Sequence, residues 1–493
     1  MNFEDYYKKL GFIRYPFGVF TSEGEKKDLE AIFLKPNNYS IILEGLRNTS
    51  AIIVGERGTG KTALSMSLQS ELESEKSLII RIEEFSRIKL DFSEDDLYNF
   101  LTEEISLAFF LKISENPGIL WRYTKEERID LSMYLHTYVN ASSKELLREK
   151  INKIQNGVVK RWSVNVYNYG RVLLNYGLKA ATKVVSDAIT KHFSSLPEFD
   201  IGDSEYFKKI EDHIDESFEQ NQKQYYYLMR ICKIIKKHAF DKLYIVIDKI
   251  DEDSRFGNDA ESISDFISGI AANNKILTND EFHVALFLWS TPFNYIRSNV
   301  RTQKLTFQQL VWSKLQLEEV IVRRMQAYSN KMVRQLSDIL DNCSSDSINL
   351  IFKMCNGNPR DLWHIVDKCF NEQFHLDYSL RISDQAIERG INRFVTEFNY
   401  YEYYPKKSSA RANTMDVYSY IKHLTKLDNY QFTKDRLNEK AGTGSSTNNY
   451  VVAMENMGLV CKTAQKAQGG AVIYEIRDPK ICYAMEKGMS IDS

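Results

Sequence analysis

Cysteine is scarce and scattered: six residues, at 232, 343, 355, 369, 461 and 482, with no Cys-x-x-Cys pair. That spacing excludes a disulfide framework and a zinc ribbon, and it reads as reduced thiols. Proline (8) and glycine (22) are few among 493 residues, which leaves little material for long flexible linkers. The net charge is −2, so no global basic field draws the chain to nucleic acid, and any such binding must come from local patches. No apolar run approaches the ~18 residues that a bilayer-spanning helix needs. The opening Met-Asn-Phe-Glu-Asp-Tyr has neither the basic nor the apolar region of a signal peptide. A cytoplasmic chain without a membrane partner is expected. No repeat of roughly 20–50 residues is visible. Hydrophobic residues at 43% and charged residues at 27% suit a globular chain, and the length suggests roughly two to four domains.

What is present is concentrated at residues 50–62. Four apolar residues, Ala51, Ile52, Ile53 and Val54, run into Gly55-x-x-x-x-Gly60-Lys61-Thr62, and Ala63 onward reads as a helix. The pattern predicts a buried strand feeding a phosphate-binding loop. Gly55, Gly58 and Gly60 let the backbone curl with its N–H groups turned toward phosphate oxygens. The following helix adds its positive dipole end. Lys61 is placed to reach the β- and γ-phosphates and the Thr62 hydroxyl to bind Mg²⁺. The candidate nucleotide-binding residues are therefore Gly55, Glu56, Arg57, Gly58, Thr59, Gly60, Lys61, Thr62 and Ala63.

Further strands are predicted at Ser77–Ile82, Leu243–Ile247 and Phe282–Trp289, with a short fifth at Leu310–Trp312. With intervening helices they imply a parallel, doubly wound α/β sheet. The predicted fold is a P-loop NTPase core (1–89 and 236–312) with a large helical insertion (90–235), a helical lid (313–397) and a C-terminal winged helix (405–493). The interval before Leu243 carries apolar residues at helical spacing over 95–111, 125–140, 143–155, 167–193 and 206–238. Lid helices are expected over 317–328, 345–355, 361–374 and 382–394. Ahead of the loop, Tyr15-Pro16-Phe17-Gly18 is aromatic, and Tyr15 and Phe17 are candidates to stack on a nucleotide base, or simply to pack the N-terminal segment.

The strand Leu243–Ile247 ends in Asp248-Lys249-Ile250-Asp251-Glu252, a Walker B arrangement in which Asp248 lies where parallel sheets place ligands. Asp248 is the second candidate metal residue beside Thr62. Lys249 occupies the slot directly after the aspartate, so Asp251 or Glu252 is left to orient the attacking water. Ser290 and Thr291, at the tip of the next strand, are candidate sensors of the γ-phosphate, or caps of the next turn. Arg360, in Gly357-Asn358-Pro359-Arg360, opens a helix from which it can swing toward the phosphates. Arg297 and Arg301 are candidates for an arginine finger in a head-to-tail assembly.

These motifs together resemble AAA+ and STAND-type ATPases. The acids of Asp248-Lys249-Ile250-Asp251-Glu252 are spaced similarly to the NACHT branch, which prefers a small residue where Lys249 stands. Tyr15-Pro16-Phe17-Gly18 and the phosphate loop resemble bacterial P-loop ATPases related to the origin-recognition family. The resemblance covers about 10–82, 240–395 and the C-terminal module. It implies ATP and Mg²⁺ as cofactors and ATP hydrolysis as the activity. The absence of an Asn/Thr-Lys-x-Asp guanine-reading motif favours ATP.

Residues 412–482 have the outline of a winged helix. Ser445 or Ser446 is expected to cap its second motif helix, whose start, Ser446, Thr447, Asn448 and Asn449, would meet bases. Lys434, Arg436, Lys462 and Lys466 are candidates for phosphate contacts. Between 405 and 480 there are 12 Lys/Arg against 7 Asp/Glu. A second basic stretch, 150–186, holds seven Lys/Arg and no acid, with Trp162, Tyr167, Tyr169 and Tyr176 interleaved. It could track a phosphate backbone, dock an acidic partner or be a solvated face. Two readings of function follow: an ATPase switch that engages DNA, or a bacterial antiphage-defence or signalling ATPase that oligomerises with ATP and binds protein partners. A nucleotide-binding scaffold that barely hydrolyses is the third, motivated by Lys249.

Overall fold

The computed structural model describes residues 2–25, 28–139, 141–155, 188–197, 223–378, 381–406 and 415–491. Most of the 150–186 basic stretch, and the helices predicted over 167–193 and 206–238 for much of their length, lie outside the described residues.

Five parallel strands form the central sheet: β1 Ala51–Gly55, β2 Ser77–Ile82, β3 Lys242–Ile247, β4 His283–Trp289 and β5 Thr306–Gln309, in the order β2-β3-β4-β1-β5. Every residue of β1 is buried, as a strand covered on both faces requires. The pleat divides it. Ala51 and Ile53 face one core with Tyr244, Val246, Ala285 and Phe287. Ile52 and Val54 face the other with Ile80, Ile245 and Leu286. The predicted fifth strand is displaced. The paired residues are Thr306–Gln309, whereas Leu310 and Trp312 are buried in the connection beyond. Their burial made them read as a strand, but only Leu310 keeps a bond to β1, its N–H donating to the Val54 carbonyl at 2.8 Å, and the chain then leaves the sheet with Trp312 packed in the first core.

The second core is covered by helices Glu94–Ile113 and Lys223–His238, which bracket the long interval between β2 and β3. Both lie against the sheet, so the ends of that interval belong to the cover of the sheet. The shorter helices Lys125–Thr137 and Ala141–Gln155 pack outside them. Lys150, the first cation of the basic stretch, is buried: its ammonium donates to the Leu111 carbonyl and pairs with Glu115 at 3.0 Å.

The first core is larger. It joins the N-terminal segment, the phosphate-loop helix Lys61–Glu73, the lid and the C-terminal module. The lid contains helices Lys314–Tyr328, Ser345–Met354, Pro359–Asp377 and Asp384–Glu397. The N-terminal segment is pinned to it by Arg324, 2% exposed, whose guanidinium donates to Glu25 and to the carbonyls of Pro16 and Val19. The C-terminal module runs helix Val417–Leu424, β6 Gln431–Phe432, helix Lys434–Ala441, helix Thr447–Asn456, β7 Val460–Lys466, β8 Val472–Ile476 and helix Pro479–Lys487. Its strands form an antiparallel sheet in the order β6-β8-β7. Among the described residues no helix is long and apolar enough to cross a membrane.

Candidate functional site

A cavity of about 840 Å³ opens at the carboxyl ends of β1 and β3, the place where parallel α/β sheets hold ligands. Its floor is the phosphate loop. Gly58 and Gly60 have φ of +81° and +87°, a region that costs a side chain dearly. The loop is braced from outside. The Trp312 indole donates to the Thr59 carbonyl at 2.8 Å, and the Asn358 amide donates to the Arg57 carbonyl at 2.9 Å. The Trp289 indole donates to the Glu56 carboxylate at 3.1 Å.

Lys61 is buried and folds back on the loop, donating to the carbonyls of Gly55 and Glu56, each at 2.9 Å. Burial lowers its pKa, opposed by Asp251 and Asp248. Arg57, Gly58, Gly60, Lys61, Thr62 and Ala63 line the cavity. Gly55, Glu56 and Thr59 stand behind it and shape the loop, with Thr59 donating to the Glu56 carbonyl at 2.7 Å.

Asp248 is 1% exposed. Burial pushes its carboxyl up, and Arg81 opposes that first. It accepts from Ser65 at 3.2 Å, Arg81 at 3.4 Å and the Lys249 N–H at 3.0 Å, and the nearby Thr62 hydroxyl works against the upward shift. A buried carboxylate beside a hydroxyl is a hard, all-oxygen donor pair, and it fits Mg²⁺, which is commonly held by one or two protein oxygens with phosphate and water. No cluster of three or more His, Cys, Asp or Glu among the described residues could hold a metal on its own.

The two downstream acids are not equivalent. Asp251 is paired with Arg57, Nε to carboxylate at 2.7 Å, and the same guanidinium donates to the Asp251 carbonyl at 2.9 Å and lies 4.0 Å from the Trp289 ring. Glu252 stands at the cavity mouth. Its pKa is raised by desolvation first and by the Asp251 charge second. Lys249, with a φ of +63°, also lines the cavity and pairs there with Glu23 and with Glu83.

Several expectations are corrected. Tyr15 and Phe17 do not line the cavity. Tyr15 donates to Asp367 at 2.7 Å, and Phe17, fully buried, packs on Trp363 and Phe370. The apolar wall is built instead by Phe20, Ile32, Leu34, Val320 and Trp363. Ser290 and Thr291 also lie outside the lining. They begin helix Ser290–Ile296, and the buried Ser290 hydroxyl has no hydrogen-bond partner among the described residues. Arg360 does line the cavity. Asn358 was missed, although Asn before Pro is a legible helix-start signature. It caps helix Pro359–Asp377 through the N–H groups of Arg360 and Asp361 while holding the phosphate loop. Arg297 sits 5.6 Å from the Phe307 ring.

In the C-terminal module neither Ser445 nor Ser446 caps by its side chain, because a 3₁₀ turn, Gly444–Ser446, leads straight into the helix. Thr447 is buried, donating to the Gly444 carbonyl at 2.7 Å, so it is not available to bases. Ser446 is half-buried, and Asn448 and Asn449 are exposed. Lys434 donates to Asn448, Arg436 pairs with Asp428 and Glu439, and Lys462 pairs with Glu455. Lys466 is exposed at the end of β7.

No protein-family model matches the chain. It is 24% identical over 381 residues to the transposon gamma-delta 80.3 kDa protein of Escherichia coli (strain K12), an alignment covering 73% of this chain and 47% of that protein. The chain thus spans about half the length of the curated relative it matches. Among solved structures it is similar to the Aeropyrum pernix ORC1 protein in complex with DNA, 12% identical, TM-score 0.34, covering 97% of this chain and 95% of that one. It is also similar to the Aeropyrum pernix ORC2 protein, 11% identical, TM-score 0.38, covering 98% of each chain. A Walker-type ATPase of Pyrococcus abyssi is 11% identical, TM-score 0.38, covering 97% of this chain and 99% of that one. The fold stands on the sheet order and the phosphate loop rather than on these superpositions.

Proposed function

We propose that the chain is an ATP-binding and ATP-hydrolysing switch of the AAA+ type that engages DNA through its C-terminal module. The observation that carries it is the convergence of Lys61, Thr62 and the buried Asp248 at one end of a parallel sheet, on a loop that only glycine can shape. On ATP binding Lys61 would exchange the Gly55 and Glu56 carbonyls for phosphate oxygens, and Thr62 and Asp248 would hold Mg²⁺. The cation supplies charge neutralisation at the phosphates. Arg360 approaches from the lid. Glu252 is the better candidate for orienting water, because Asp251 is committed to Arg57. Water then attacks the terminal phosphorus, giving ADP and phosphate.

Support for DNA is the excess of basic residues over 405–480 and a relative named for a transposon. The second reading, nucleotide-driven assembly with protein partners as in bacterial defence or signalling ATPases, has its own observation: Arg436 and Lys462 are already ion-paired within the module. One assay separates them: turnover of MgATP by wild type, Lys61→Ala and Glu252→Ala, with and without duplex DNA. Lys61→Ala is expected to lose about 100-fold or more, and Glu252→Ala to bind ATP without turning it over. Wild-type turnover equal to that of Lys61→Ala would refute the ATPase. DNA-independent turnover with ring or filament formation would favour the second reading.

A further inference from the structure

We propose that residues 400–406, the segment joining the lid to the C-terminal module, form a strap whose docking on the phosphate loop sets the rate of nucleotide exchange. This rests on the nucleotide reading above. Tyr401, Glu402 and Lys406 line the same cavity as Lys61 and Thr62, so a nucleotide leaving that side must pass them.

The strap is fastened to the nucleotide domain by its backbone. Asn258 donates from one amide to the carbonyls of Tyr401 at 2.6 Å and Tyr404 at 3.1 Å, and its own carbonyl accepts from the Lys406 N–H at 2.9 Å. Arg57 donates to the Glu402 carbonyl at 2.9 Å with the guanidinium that also grips Asp251. One residue of the phosphate loop therefore touches the strap and Asp251 at once.

The opposite side of the strap belongs to the C-terminal module. Tyr404 donates to Asp478 at 2.9 Å, and Asp478 lies 3.2 Å from the buried Lys480 ammonium. Lys480 in turn lies 3.6 Å from Asp361, the neighbour of Arg360 at the start of the lid helix. Tyr400 is fully buried against Tyr418. The module cannot swing away without pulling the strap, and the strap cannot leave without breaking the Asn258 and Arg57 bonds. By linkage, a ligand that moves the module alters nucleotide affinity by the factor with which nucleotide alters that ligand's affinity.

The test uses the full chain and N-methylanthraniloyl-ADP. Asn258 has a φ of +64°, so Asn258→Gly keeps the backbone and deletes only the two side-chain bonds. Release measured by stopped flow is expected to be at least about fivefold faster than in wild type, the loss that one or two hydrogen bonds entail, with association little changed. Release equal in the two proteins would overturn the strap. A second measurement needs no variant: amide hydrogen exchange of the 400–406 peptide in wild type is expected to slow when ADP is added, and exchange unchanged by ADP would also overturn it. Failure of wild type to bind the probe at all would instead sink the nucleotide reading, and this inference with it.

Discussion

Gly58 and Asn358 offer the sharpest energetic test of the site. A Cβ added at Gly58 would stand 2.5 Å from Oδ1, 2.6 Å from Nδ2 and 2.9 Å from Cγ of Asn358, at a φ of +81°. The left-handed conformation alone costs Ala about 1–2 kcal/mol. Asn358, 1% exposed, cannot retreat without surrendering its bonds to Arg360 N–H, Asp361 N–H and the Arg57 carbonyl. Losing the cap costs about 1 kcal/mol, and stranding the buried partners about 1–2 kcal/mol more. Gly58→Ala should therefore lose about 3–5 kcal/mol, and Asn358→Ala about 2–3 kcal/mol. In the double variant the collision has vanished, because its target is gone. The loss should stay near about 3–5 kcal/mol, a coupling of about 2–3 kcal/mol relative to the sum. Urea unfolding followed by tryptophan fluorescence reads this directly, since Trp312 and Trp363 both line the cavity. Losses that simply add, to within about 0.5 kcal/mol, would refute the claim that the lid amide closes the space over Gly58.

Three other predictions concern buried titratable groups. Lys480→Met leaves Asp361 and Asp478 facing each other in the core and should cost about 3–5 kcal/mol. Adding Asp361→Asn and Asp478→Asn should recover most of it in a thermal melt. His364, stacked on Phe20 at 3.9 Å, has its pKa pushed down to about 4 by burial first, then by Arg360 and Lys368. A base whose folded pKa is lowered binds protons better when unfolded. Its contribution to stability is complete above pH 6.5 and falls away toward about pH 4, so His364→Gln should flatten that part of the urea-midpoint profile. Asp361, raised to about 6 by burial, slopes the opposite way between its ordinary carboxyl range and about pH 6, and Asp361→Asn should steepen the acid loss.

Much of the fold was legible because it is local. An unbroken apolar run into a glycine-lysine-threonine loop can satisfy its backbone in few other ways, and the strands at 51–55, 77–82, 242–247 and 283–289 carry the continuous apolar character that two covered faces require. Leu310 and Trp312 misled because burial alone does not distinguish a strand from a buried connection. The phosphate loop, Asp248 and Arg360 could be read from residue type and spacing.

The partners of those residues could not. Tyr15 and Phe17 are aromatic in either setting, and only the packing of Trp363 and Phe370 sends them into the core rather than the cavity. The acids at 251 and 252 differ by one position in sequence, yet Arg57 reaches the first and leaves the second in the cavity mouth. Asn258 meets the Tyr401 carbonyl and Arg57 the Glu402 carbonyl, each across more than a hundred positions of chain. The loop at residues 55–62 is specified locally, because its glycines, lysine and threonine bring backbone freedom, a cation and a hydroxyl within a few bonds of one another. Which carboxylate Arg57 engages, which aromatics line the wall and where residues 400–406 pack come from the assembled fold, because each is a choice of neighbour across the chain rather than a property of the residue.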